Sequence, residues 1–145
     1  MELHYPVQYQ GGLSHQYWFV SVGKRSLIKC VQLECMNPNS MFFHLSLLDY
    51  NPKNGSLCDQ LVSNNGDTEL VMNTVIFCIQ SFLSLFPEAR ITLTGNSPAR
   101  DRLFKMQISK LHKDILSDLL IVLEHLKEGG IIFYVSKKRV NLNHP

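Results

Sequence analysis

The apolar residues of this chain change period near Asp67, and that switch limits the folds open to it. From Tyr17 to Tyr50 the apolar and aromatic residues come in strand-length runs, "YWFVSVG", "LIKCVQLECM" and "MFFHLSLLDY", separated by the turn chemistry of "GKRS" and "NPNS". Runs of this kind read as strands, and turns this short join them antiparallel, so the three make a meander. From Asp67 onward Val71, Val75, Cys78, Phe82 and Phe86 recur at helical spacing, and Met72, Ile76, Ile79 and Leu83 widen the stripe around most of the girth. The spacing predicts a buried helix with Asp67 as its cap, accepting the first-turn amides, and Pro87 just past its end.

Beyond Pro87, "ARITLT" alternates as a strand should. "SPARDRLFKMQISKLHKDIL" then returns to helical spacing with Phe104, Ile108, Leu111 and Ile115 inward. "SDLLIVLEHLKEGG" is expected to be a shorter helix, capped by Ser117 and stopped at Gly129 or Gly130, and "IIFYVSKK" the last strand. Between meander and first helix, "LCDQLV" reads either as a short strand or as an extended crossing. The fold class expected is α+β: a three-stranded antiparallel meander followed by helix, strand, helix, helix and strand, with the helices packed on a mixed sheet. The helix between the third and fourth strands allows a parallel crossover. At 145 residues, 45% hydrophobic and 18% charged, the chain is expected to be one domain over 1–145, with 1–14 and 140–145 frayed.

The formal charge of +2 is too mild to imply a nucleic-acid or acidic-membrane partner without a local basic cluster. Cys30, Cys35, Cys58 and Cys78 form no C-x-x-C pair and keep no ligand spacing with any histidine, so no metal and no cofactor is expected. Cys30 and Cys35 lie an odd number apart on one strand, point to opposite faces and cannot bridge each other. All four read as buried, reduced thiols. The first residues carry no basic start and no apolar run of signal length, so the cytoplasm is expected. "LVMNTVIFCIQSFLSLF" is broken by polar residues and falls short of the roughly 20 apolar residues of a membrane span, which makes it a core helix.

The element order resembles ribonuclease H-like folds, where three acids hold divalent metal. In that likeness a first-strand acid, a helix-start glutamate after a "TNN"-like turn and a fourth-strand aspartate do the work. "SNNGDTEL" resembles the turn, with Glu69 one residue too far on. "YWFVSVG" has no acid, and the fourth strand runs into Gly95 and Asn96. Asp49, Asp59, Asp67 and Glu69 are the acids left to a divergent metal-dependent nuclease or phosphotransfer enzyme, the alternative to a non-catalytic module.

A second resemblance covers nearly the whole chain. "YWFVSVGKRSLIKCVQL", "CDQLVSNNGD", "TVIFCIQSFLSLFPEARI" and "GNSPARDRLFKMQI" resemble, in order and spacing, the blocks of a small uncharacterised bacterial family, domain of unknown function 6934. The resemblance implies the fold and a bacterial origin, and it carries no activity.

"GNSPARDRLF" holds the strongest candidate site. Ser97 is a good helix cap and Pro98 a good first residue, which accounts for both without a ligand. At about 100° per residue, Arg100 falls about 40° from Phe104, on the apolar face, and Arg102 about 160° away, toward solvent. A guanidinium beside the core needs an acceptor. Three readings stay open: an ion pair with Asp67, Glu69 or Asp49; an anion such as phosphate held by Gly95, Asn96, Ser97 and Arg100 at the helix start; or a side chain bent out to solvent. Arg102, Lys105, Ser109 and Lys113, with Lys110 nearby, form a mild basic stripe. Lys137, Lys138 and Arg139 would join it in a patch for nucleic acid if the two elements adjoin. Tyr17, Trp18, Phe42 and Phe43 are expected to divide between the faces of the meander, and any exposed rings would mark a dimer or partner surface. The function expected is a non-catalytic binding module acting on an unknown protein partner or a second copy, as in one component of a toxin–antitoxin-like pair, and with no membrane involved.

Overall fold

A computed structural model describes residues 4–58, 65–95, 97–111 and 118–138. Its elements, in chain order, are β1 (Gln8–Gln10), β2 (His15–Val22), β3 (Ser26–Asn37), β4 (Phe42–Asn51), β5 (Ser56–Cys58), α1 (Thr68–Leu85), β6 (Arg90–Thr94), α2 (Pro98–Leu111), β7 (Leu119–His125) and β8 (Ile131–Lys137). The fold is α+β. One eight-stranded sheet runs in the order β1-β2-β3-β4-β6-β8-β7, with β5 paired to β4 off that path. Every pairing is antiparallel except β4 with β6, which α1 joins as a parallel crossover. The meander is β2, β3 and β4.

Alternation along the strands sets the layers. Tyr17, Phe19, Val31, Leu33, Phe43, Leu45, Ile91, Leu93, Phe133 and Val135 occupy every second position and are buried in one cluster with both helices. From α1, Val71, Met72, Val75, Ile76, Cys78, Ile79, Phe82 and Leu83 enter that cluster. α1 has the length and apolarity of a membrane span, 18 residues at hydropathy 1.4. Its place under the sheet makes it the core helix. From α2, Phe104 and Ile108 join the cluster, Phe104 edge-on to Phe133 at 4.7 Å. Gln107 of α2 donates to Asn73 Oδ1 of α1 at 2.7 Å and ties the helices together. Tyr17 and Phe43 are buried on the covered face, and Trp18 and Phe42 are half-buried on the opposite one.

Four expectations are corrected. In place of the helix expected over 117–130 stands a strand, β7, and Gly129 and Gly130, read as a helix stop, lie in the turn to β8 at φ 93° and 97°. Leu126 N donates to Gly130 O and Gly129 N to Leu126 O to close that turn. The physical reason is that a five-residue apolar run, Leu119–Leu123, fits either period, and β-branched Ile121 and Val122, with paired glycines following, favour the hairpin. Ser117, Lys113 and Ile115 lie outside the described residues. Residues 4–14, expected to fray, contribute β1 along β2, and Tyr5 N donates to Thr74 Oγ1 on α1 at 2.9 Å. Asp67 does stand at the α1 N-cap position, but its carboxylate caps no amide. It accepts instead from Tyr5 Oη and Ser21 Oγ, both at 2.5 Å. Finally, all four cysteines are free, yet Cys35 is exposed and Cys58 half-buried. Burial pushes the Cys30 thiol up to about 12 and raises Cys78 further, so both stay protonated at neutral pH.

His15 faces Phe43, Phe82 and Phe86 edge-on at 5.9, 5.1 and 5.1 Å. Desolvation there lowers its imidazole from the ordinary value. As pH falls, the unfolded chain therefore takes the proton first. The contribution is full above about 6.5 and is lost as pH falls from there through the lowered folded value. Melting curves between about pH 7.5 and 5.5 are expected to show a steeper acid loss in the wild type than in His15→Phe. Equal slopes would contradict this.

Candidate functional site

The junction between β6 and α2 is built around a carboxylate. Ser97 caps α2, its Oγ accepting from Arg100 N at 3.1 Å, and Pro98 opens the helix. Asp101, in the same first turn, is only 4% exposed. Its Oδ1 accepts from Gly95 N at 2.8 Å and its Oδ2 from Ile131 N at 3.2 Å, so one side chain pins the end of β6 and the start of β8 to α2. Gly95 is required by that approach. A Cβ there would lie 2.5 Å from Asp101 Oδ1 and 2.7 Å from Asp101 N. The amide expected to meet a bound phosphate is thus taken by the protein's own anion, which also sits favourably at the positive end of the helix. Asn96 lies outside the described residues. Sequence reasoning missed Asp101, although the same arithmetic that turned Arg100 inward places Asp101 about 60° from Phe104, on the buried face.

Beside this staple the sheet splits. On the side of β4 away from β3, β6 pairs with Phe42 to His44 and β5 with Asp49 to Asn51. Between them, residues 45–48 have no strand partner on that side among the described residues. Leu93 and Thr94 of β6 diverge from β4 in the same way and stay paired only with β8. The gap is a cleft of about 70 Å³, several times the roughly 10–15 Å³ one water needs. Leu45, Leu47 and Leu93 from the strands and Met72, Val75 and Phe104 from the helices make its apolar wall; His44, Ser46, Thr94 and Gly95 add polar edges. His44 Nδ1 lies 3.2 Å from Thr92 Oγ1. Arg100, half-buried, completes the lining. Crevices where parallel strands part at their C-terminal ends are the usual ligand sites of open sheets.

None of the three carboxylates expected to pair with Arg100 does so. Asp49 is ion-paired with Lys29, which is 3% exposed on the core side of the meander. Asp67 accepts from Tyr5 and Ser21. Glu69 is exposed and meets Lys110 of α2 at 3.5 Å. Their partners hold these acids apart, and Asp59 lies outside the described residues. Among the described residues no group of three or more His, Cys, Asp or Glu could hold a metal ion. Arg102 and Lys105 are exposed on α2, Lys137 is half-buried at the end of β8 and Lys138 exposed just after it. Arg139, like Lys113, lies outside the described residues.

The described part of the "SNNGD" segment, Asn65 to Asp67, is likewise structural. Asn65 is 3% exposed and plugs the β2–β3 turn. Its Nδ2 donates to Arg25 O at 2.8 Å and Ser21 Oγ at 3.0 Å, and its Oδ1 accepts from Arg25 N at 2.7 Å. Its own carbonyl accepts from Lys24 N at 2.9 Å. Gly23 makes room for that carbonyl, which a Cβ would meet at 1.8 Å. Ser21 links the plug to Asp67.

A family model described as "Family of unknown function (DUF6934)" matches residues 2–142. No curated protein and no solved structure matches the chain, so the likeness to ribonuclease H-like folds gains no support.

Proposed function

Since the chain belongs to DUF6934, a family of unknown function, we propose a role from the site itself: a non-catalytic module that binds a small oxyanion, carboxylate or phosphate, in the β4–β6 cleft on the guanidinium of Arg100. The observation that carries this is the position of Arg100. It lines a cleft that has an apolar wall and polar edges, and no carboxylate pairs with it among the described residues. A guanidinium offers parallel donors that match an oxyanion two at a time, and low-dielectric walls strengthen the pairing. The volume suits the anionic group, and the leucines and Phe104 suit a short aliphatic stem attached to it. The four free thiols support a reducing compartment such as the cytoplasm.

Titration with inorganic phosphate and with butyrate, followed by amide shifts of Thr94 to Asp101, tests the reading. Binding is expected with either probe. Arg100→Ala should weaken it by at least about tenfold, the loss of one charge-assisted pair, and Arg102→Ala should leave it unchanged. Equal affinities in the two variants, or no shift with either probe up to about 10 mM, would end the proposal.

A further inference from the structure

The cleft beside Arg100 has a second polar end, on the far side of the sheet. Along β4, Phe43 and Leu45 are buried with the helices and Leu47 packs on the same cluster, so His44 and Ser46 point to the face opposite the helices. The same alternation along β6 buries Ile91 and Leu93 and turns Thr92 and Thr94 to that opposite face. Arg100 stands on α2, whose Phe104 and Ile108 pack on the helix side. The lining therefore runs through the sheet, with the guanidinium at one mouth, leucines between, and an imidazole and hydroxyls at the other.

Exposure alone does not account for that second mouth. Elsewhere the same face carries apolar side chains in the open, with Val20 45%, Val22 60% and Ile28 41% exposed. His44 and Thr92 are the last paired residues before β4 and β6 part, and the 3.2 Å contact between His44 Nδ1 and Thr92 Oγ1 holds the ring at the fork. Among the described residues His44 has no other hydrogen-bond partner, and the Ser46 side chain has none. With Nδ1 engaged, His44 Nε2 and Ser46 Oγ are left for a ligand. A hydroxyl donates and accepts at once, which suits a ring nitrogen beside another hydroxyl. We infer that the occupant of the cleft is a short hydroxy acid, its oxyanion on Arg100 and its hydroxyl at the remote end of the chain, bonded to His44 Nε2 and Ser46 Oγ. This rests on the oxyanion reading above and adds the chemistry of the other end.

Titrations of the intact chain with butyrate, 2-hydroxybutyrate and 4-hydroxybutyrate, followed by amide shifts, test the assignment. 4-Hydroxybutyrate should bind about 3–10-fold more tightly than butyrate, the worth of one neutral hydrogen bond, and should move the amides of His44 to Leu47 further. 2-Hydroxybutyrate, whose hydroxyl sits beside the carboxylate at the Arg100 end, should show no such gain. In His44→Phe the ratio of the 4-hydroxybutyrate and butyrate affinities should fall to about one. His44→Gln, whose side-chain amide can stand in for Nε2, should keep part of the preference. Butyrate binding with no preference for 4-hydroxybutyrate, an equal gain with 2-hydroxybutyrate, or a preference that survives in His44→Phe would each overturn this inference and leave the oxyanion reading standing. Binding of none of the three acids would overturn both.

Discussion

Gly23→Ala is expected to be the most damaging small substitution in the chain, because the added methyl would lie 1.8 Å from Asn65 O and 2.9 Å from Asn65 C, both backbone atoms. Rotating a side chain cannot relieve such a contact. Either the β2–β3 turn or the start of α1 must move, and Asn65 joins the two through Arg25, Lys24 and Ser21. The cost should be roughly 3–5 kcal/mol, near the top of what single substitutions do. At roughly 2–4 °C per kcal/mol for a domain of this size, melting should fall by about 6–20 °C. Gly55→Ala is the control. Gly55 has a positive φ of 71° but nothing within 4 Å of its missing Cβ, so only backbone strain, about 1 kcal/mol, is at stake. If the two variants melt alike, Asn65 is not the plug described above.

Asp101→Ala is expected to come next. It leaves Gly95 N and Ile131 N without their acceptor and opens a gap where a 4%-exposed side chain stood. A loss of about 2–4 kcal/mol follows from two abandoned donors. Asp101→Asn should fall between it and the wild type, since one oxygen can still serve Gly95 while the amide nitrogen opposes Ile131 N–H. The local readout is hydrogen exchange: protection at Ile131 should drop in both variants, and at Gly95 mainly in the alanine variant. Wild-type melting and wild-type protection at both amides in Asp101→Ala would show that no staple exists.

The parts of the fold legible in the sequence were those with one dominant period. The meander's runs and the wide stripe of α1 each exceed what a competing period can mimic, and burial follows them residue by residue. β7 was not legible as a strand, because at a sheet edge only Leu119 is fully buried and the alternation that distinguishes a strand is nearly erased. Asp67 shows a different limit. A cap is a local choice, but Tyr5, 62 residues away, competes for the same carboxylate, and no spacing rule reports that. Arg100 was placed by helix geometry alone. What it would face was not, since the cleft arises from where β5 and β6 happen to share one side of β4. Asp101 is legible by the same geometry, although charged residues are seldom buried.

Residues 45–48 of β4 are held by β3 alone on one flank, and the other flank bears no ladder among the described residues. Leu45 there belongs to the core, whereas half-buried Ser46 and Leu48 can change in size or polarity without unpicking a strand pairing. The glycine joints and buried polar pins at Gly23, Asn65, Gly95 and Asp101 belong to the chassis, whereas the polar edges of the cleft are upholstery. Two proteins with the same chassis need not share the same cleft rim.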